Sequence, residues 1–167
     1  MPRTTTGIEA APARDLPTPA TFKFEYQGVE GRLEIAVDTK DPRLQTYGDY
    51  RRLAGATPVT YLAATINNAS QNIAVNMYSV QVITPSREQL QFKPVSGQLE
   101  EWLKTFSSSG PHPNSTNYRQ GVDLVNSNQI YLLPGAKRTV YLTSPSSVAR
   151  VSRVFVYPSG GFDRNAA

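Results

Sequence analysis

Val59-Thr60-Tyr61-Leu62-Ala63-Ala64-Thr65-Ile66-Asn67-Asn68 is the stretch on which the fold turns. From Val59 to Ile66 it is apolar except for small Thr, and a short apolar run of this kind suits a central strand covered on both faces. Asn67-Asn68-Ala69-Ser70-Gln71-Asn72 ends it, because Asn side chains bond to local backbone and tolerate positive φ.

Upstream, Phe22, Phe24 and Tyr26 alternate with Lys23 and Glu25, and Leu33, Ile35 and Val37 alternate with Arg32, Glu34 and Asp38. Alternation with period two marks half-buried strands, and Gln27-Gly28 turns the first into the second. From Asp38 to Ala56 the chain is polar, Tyr47 and Tyr50 being its only aromatics, and it reads as a long loop. Downstream, Ile73, Val75 and Met77, then Val80 to Thr84, then Leu90 with Phe92 continue the alternation as antiparallel hairpins. Val122–Val125, Ile130–Leu133, Thr139–Leu142 and Val151–Tyr157 read as further strands, with Pro134-Gly135 as a type II turn.

One helix interrupts this pattern. Between Gly97 and Phe106, Leu99, Trp102, Leu103 and Phe106 fall at i, i+3, i+4 and i+7, with Ser96 placed to cap it. The residues from Ser107 to Thr116 follow as a flexible loop. The predicted fold is all-β, an immunoglobulin-like antiparallel β-sandwich with one short inserted helix.

The 167 residues suit one domain. Nine Tyr, six Phe and one Trp supply a core, while thirteen Pro and eleven Gly favour many short strands over long helices. Residues 1–19 hold few large aliphatics, show no periodicity, and carry the Pro-rich run Ala11–Pro19; they read as a disordered tail and linker. Residues 20–158 form the domain and residues 159–167 a flexible C-terminal tail. No apolar run is long enough to cross a bilayer, and Met1-Pro2-Arg3-Thr4-Thr5-Thr6-Gly7 is not a signal-peptide core, so the chain is expected to be soluble as given. The formal charge of +4 is scattered over short clusters such as Arg51-Arg52 and Lys137-Arg138, which argues against a nucleic-acid partner.

Catalytic constellations fail one by one. The single histidine, His112, lies between Pro111 and Pro113 in the predicted loop, where nothing orients an imidazole. One His and no Cys do not make a structural zinc site. Glu25, Glu30 and Glu34 fall on polar strand faces and Glu100 and Glu101 on the solvent side of the helix, not in a shared cleft. Asp38, Asp41 and Asp49 are too few for calcium, and no phosphate-binding or dinucleotide fingerprint exists. No catalytic, metal or cofactor-binding residue is therefore assigned, and no enzyme activity is expected. The triplets Asn68-Ala69-Ser70 and Asn114-Ser115-Thr116 match the glycosylation pattern but carry weight only in a eukaryotic secretory protein.

The strand Val59–Asn68, the Ile73 to Thr84 pair and Leu133-Pro134-Gly135-Ala136-Lys137-Arg138-Thr139-Val140-Tyr141-Leu142 together resemble an immunoglobulin-like family. Its members are mostly uncharacterised domains in secreted proteins and lipoproteins of Gram-positive bacteria, especially actinobacteria. The resemblance spans residues 20–158, departs from the pattern at the helix around Trp102, and brings no catalytic residues. It implies an extracellular or cell-envelope domain tethered by residues 1–19, serving adhesion, ligand binding or assembly. The expected function is thus non-catalytic binding of a protein partner or of itself, with no transmembrane segment and peripheral attachment to the envelope as one mode of display. Tyr47, Tyr50, Arg51 and Arg52 are the contact candidates, since Tyr and Arg are enriched at interface hot spots. The alternative is a structural subunit of a virion or surface layer whose N-terminal arm orders on a neighbour.

Overall fold

A computed structural model describes residues 7–70 and 74–158 of the chain. Its ten strands are β1 (Ile8–Ala10), β2 (Leu16–Pro17), β3 (Ala20–Tyr26), β4 (Val29–Ile35), β5 (Thr60–Asn68), β6 (Met77–Ile83), β7 (Gln89–Pro94), β8 (Lys137–Ser144), β9 (Arg150–Val151) and β10 (Arg153–Pro158). Three helices, α1 (Gln45–Ala54), α2 (Val95–Leu103) and α3 (Ser115–Ser127), join them, with 3-10 turns at Pro42–Leu44 and Lys104–Phe106.

Gln27 and Gly28 both take positive φ, at 51° and 84°, as a two-residue hairpin turn requires, and β3 pairs with β4 from Ala20↔Ile35 to Tyr26↔Val29. β4 and β8 flank β5 on either side. Every strand pairing is antiparallel, and eight strands make one sheet in the order β1-β10-β6-β7-β8-β5-β4-β3. The outer strands almost meet: just beyond β1, Ala11 and Lys23 exchange two backbone hydrogen bonds of 2.7 Å. The sheet is nearly closed.

Alternation then sorts the side chains. Phe22 and Phe24 of β3, Val29, Leu33 and Ile35 of β4, and Leu62, Ala64 and Ile66 of β5 face one core with Val80, Val82, Phe92, Val154 and Val156. Opposite Phe24 stands Gly31, where a Cβ would lie 1.9 Å from the Phe24 ring, so the aromatic fills the space a side chain would need. The other face of β5 presents Tyr61 and Ala63 to a second core built with Tyr47 and Tyr50 of α1, Leu99, Trp102 and Leu103 of α2, and Val125 of α3. Burial of β5 on both faces, and the amphipathic helix ending in a turn at Phe106, agree with the sequence.

Four expectations are corrected. The segment from Asp38 to Ala56 contains α1: Leu44, Tyr47 and Tyr50 recur every three residues and all three are buried. Val122–Val125 is not a strand but part of α3, capped by Asn114, whose side chain accepts a 3.0 Å hydrogen bond from the Asn117 N–H. Ile130–Leu133 makes only the bridge Val75↔Leu132, although Pro134-Gly135 turns as expected, with φ of 87° at Gly135 and the Ala136 N–H donating to Leu133 O. The single inserted helix is thus one of three.

The fourth concerns the arm expected to be disordered over residues 1–19. Ile8–Ala10 pairs with β10 and Leu16–Pro17 with β9, and Thr18 Oγ1 donates to Val148 O at 2.7 Å. Three residues of alternation are too few to show as a period, but the open edge of β10 supplies the hydrogen bonds that the arm's backbone lacks alone. Residues 1–6 and the tail over 159–167 lie outside the described residues, as does Ile73.

Glu9 points outward from β1, and the Arg153 guanidinium donates two 2.8 Å hydrogen bonds to it, holding its carboxyl below its ordinary value of 4.5. A lowered carboxylate pKa stabilises the pairing above that ordinary value, and the contribution is lost as pH falls through the lowered one. Hydrogen exchange of the Ile8–Ala10 amides, corrected for intrinsic rate, is therefore expected to lose protection in acid before the amides of β5 do. Glu9→Gln should remove this difference in pH dependence.

Candidate functional site

The sequence offered Tyr47, Tyr50, Arg51 and Arg52 as contacts, but they do not form an exposed set. Tyr47 and Tyr50 are 6% and 0% exposed. The Tyr50 hydroxyl donates to Asn117 O at 2.9 Å, and the Tyr47 hydroxyl donates to the Asn128 side chain, so the two phenols fasten α1 to both ends of α3. Burial pushes the Tyr47 hydroxyl up to about 12, with the neighbouring Tyr141 adding to the effect, and burial also raises Tyr50. Arg51 is half-buried and donates to Ala56 O at 2.7 Å, closing the end of α1. Only Arg52 is exposed, paired with Asp49 one turn away. Tyr47, Tyr50 and Arg51 thus make their contacts within the helical layer.

What that layer builds is a cleft at its outer edge. The 3-10 turn after α2 carries Phe106, 5% exposed, packed edge-on against Tyr50 at 5.9 Å. The residues after it are held back onto that turn: the His112 N–H donates to Thr105 O at 2.9 Å and the Asn114 N–H to Phe106 O at 3.0 Å. Gly110 is needed here, because a Cβ would stand 2.1 Å from the Lys104 carbonyl oxygen. The stretch expected to be a flexible loop is therefore a backbone-bonded connection that delivers Asn114 to cap α3. His112 itself is exposed.

α3 then runs close over α1 and α2. The approach is tight at Gly121, where a Cβ would come within 2.2 Å of the Tyr50 hydroxyl and 2.6 Å of Leu103 Cβ. With α3 seated this way, Tyr118 and Val122 face Phe106 and Pro113 across a cavity of about 690 Å³. Ser107, Ser108, Asn114 and Ser115 supply its polar lining, and Arg119 is the one charged residue among those that line it. The volume lies within the range of small-ligand pockets, roughly 300 to 1,000 Å³. Tyr118 is 38% exposed, one of four large hydrophobic residues so exposed among those described. Arg119 makes no ion pair or side-chain hydrogen bond among the described residues.

An apolar wall, polar hydroxyls and amides, and one unpaired cation can bind an apolar group carrying negative charge. The lining contains no carboxylate or imidazole to move a proton. Among the described residues no group of three or more His, Cys, Asp or Glu is placed to hold a metal ion, and no helix is long and apolar enough to cross a membrane. The reading of the sequence missed this cleft because Ser115–Ser127 is weakly hydrophobic. The available signal was Asn114 as a cap followed by Tyr118, Val122 and Val125 at i, i+4 and i+7. Against family models, curated proteins and solved structures, the chain finds no match.

Elsewhere in the layer the Tyr61 ring stacks against Tyr47 at 6.2 Å, and its buried hydroxyl has no hydrogen-bond partner among the described residues. Burial raises its pKa. A buried hydroxyl left unpaired is costly, so Tyr61→Phe is expected to leave stability unchanged or raise it by up to about 1 kcal/mol in urea unfolding. Gly121→Ala, by contrast, forces a methyl between α3 and its neighbours. It should destabilise the domain by about 1–3 kcal/mol in the same assay.

Proposed function

We propose that this chain is a non-catalytic extracytoplasmic binding domain on an immunoglobulin-like β-sandwich scaffold, with the cleft between Phe106 and α3 as its contact site. The observation that carries the reading is the pairing of an apolar cavity with an unpartnered Arg119 on a rigidly held helix. Tyrosine and arginine are both enriched among the residues that carry most interface binding energy. The partner that suits it is a protein segment placing an aromatic or aliphatic side chain against Phe106, Tyr118 and Val122 and an acidic group against Arg119.

The sandwich reading draws support from β7, which pairs with β6 through residues 89–92 and with β8 through residues 93–94, and so links the β1-β10-β6 strands to the β8-β5-β4-β3 strands by a switch of partner along its length. Export to the cell envelope draws its support from the resemblance of the Val59–Asn68 and Leu133–Leu142 segments to secreted domains.

Display selection of a random peptide library against the folded domain tests the reading. Enriched peptides are expected to place a large apolar residue beside Asp or Glu. Tyr118→Asp with Val122→Asp should abolish their binding, and Arg119→Ala should weaken it about tenfold, in the range of a charge-assisted hydrogen bond. Selection that enriches nothing over the Tyr118→Asp, Val122→Asp variant, with that variant folded by circular dichroism, sinks the proposal.

A further inference from the structure

On the outer faces of β3 and β4 the charges are arranged in rows of like sign. The register sets Lys23 directly opposite Arg32 and, two residues along each strand, Glu25 directly opposite Glu30. Directly opposed residues have Cβ atoms roughly 4.5–5.5 Å apart, where like charges are destabilising. A two-residue shift of the hairpin register, setting Lys23 opposite Glu34 and Glu25 opposite Arg32, would have made both pairs favourable.

No close ion pair among the described residues joins the two rows. All four side chains are exposed, and none makes an ion pair or side-chain hydrogen bond among the described residues. The next row along shows the contrast: Glu34 lies 3.5 Å from Arg43. The helical layer covers that end of the same strands, over Tyr61, Ala63 and Tyr141, and stops short of the two charged rows. The rows instead line an open groove walled on one side by Glu9 and Ala11 of the arm and on the other by Lys137.

We propose that this face is a self-association surface whose occupant is a second copy of the chain. A two-fold axis lying across the strands, midway between the rows, carries each basic row onto the partner's acidic row. Lys23 then meets Glu25 of the partner subunit, and Arg32 meets Glu30 of the partner subunit. The rows are about 7 Å apart along the strands, so one operation brings all four residues of each copy into register. Such an interface is isologous, the same patch serving both sides. The two repulsive pairs in each chain are then offset by four attractive pairs across the dimer. Because exposed ion pairs are individually weak and screened by salt, the dimer is a weak one that forms at low ionic strength. This interface is separate from the cleft at α3 and does not involve exchange of the N-terminal arm.

Sedimentation equilibrium of the full chain tests it. The wild type is expected to dimerise, with an association constant falling at least about tenfold from about 20 mM to about 500 mM NaCl. K23E/R32E and E25K/E30K should each be monomeric alone. The quadruple variant K23E/R32E/E25K/E30K, which keeps the net charge of +4, should recover the wild-type association constant within about threefold, since it exchanges the rows and preserves their complementarity. Unchanged thermal unfolding at high salt establishes that each variant is folded. A wild type monomeric at low salt, a dimer that survives K23E/R32E, or a quadruple variant that fails to associate overturns the proposal.

Discussion

Burial of β5 on both faces is the constraint from which the rest of the architecture follows. A strand whose alternate residues are Leu62, Ala64 and Ile66 on one side and Tyr61 and Ala63 on the other must be covered twice. The nearly closed sheet covers the first side by curling until Ala11 meets Lys23. It cannot cover the second, so the three helices do. α1 lies between β4 and β5, α2 and α3 lie between β7 and β8, and their buried apolar residues form one cluster with Tyr61 and Ala63. The hydrophobic effect demands the cover but not its form, being non-directional.

The form comes from polar and steric detail. Tyr47 and Tyr50 are large enough to fill the second core and long enough to reach Asn128 and the Asn117 carbonyl, so two hydrogen bonds orient α3 over α1. Gly121 lets the helices approach, and Gly110 lets the connection fold back on the Lys104 carbonyl. The cleft is a by-product of this packing: with the inner side of α3 committed to Tyr50 and Leu103, Tyr118, Arg119 and Val122 are left on its flank, facing Phe106. A surface held by such close contacts would lose little freedom on meeting a partner. Among the described residues no helix covers the opposite end of the sheet, and its charged rows are exposed.

How much of this was legible depended on how far each signal extends along the chain. The hairpin of Phe22–Tyr26 with Leu33–Val37 was readable because seven-residue strands repeat their alternation several times and Gln27-Gly28 suits only a tight turn. The helix around Trp102 was readable because its stripe spans two turns. α1 was missed because, apart from Tyr47, Tyr50 and the terminal Leu53 and Ala54, it holds no apolar side chain, and in a polar context those tyrosines look like contact residues. α3 was missed because the Val122–Val125 cluster looks like a strand when the cap at Asn114 is not weighed with it. β1 was missed because three residues carry no period at all.

From its residues alone the chain determined that it would be built of antiparallel hairpins around a doubly buried central strand, with one amphipathic helix at Leu99–Phe106 and a tight turn at Pro134-Gly135. These are local properties, written in alternation, spacing and turn chemistry. Only the tertiary structure decided that the N-terminal segment joins β10 across almost the whole length of the chain, that Tyr47 and Tyr50 face inward, and that like charges stand opposed on β3 and β4. Each of these depends on which distant backbone or side chain comes to lie alongside, and a sequence records such a partner only once the packing that selects it is known.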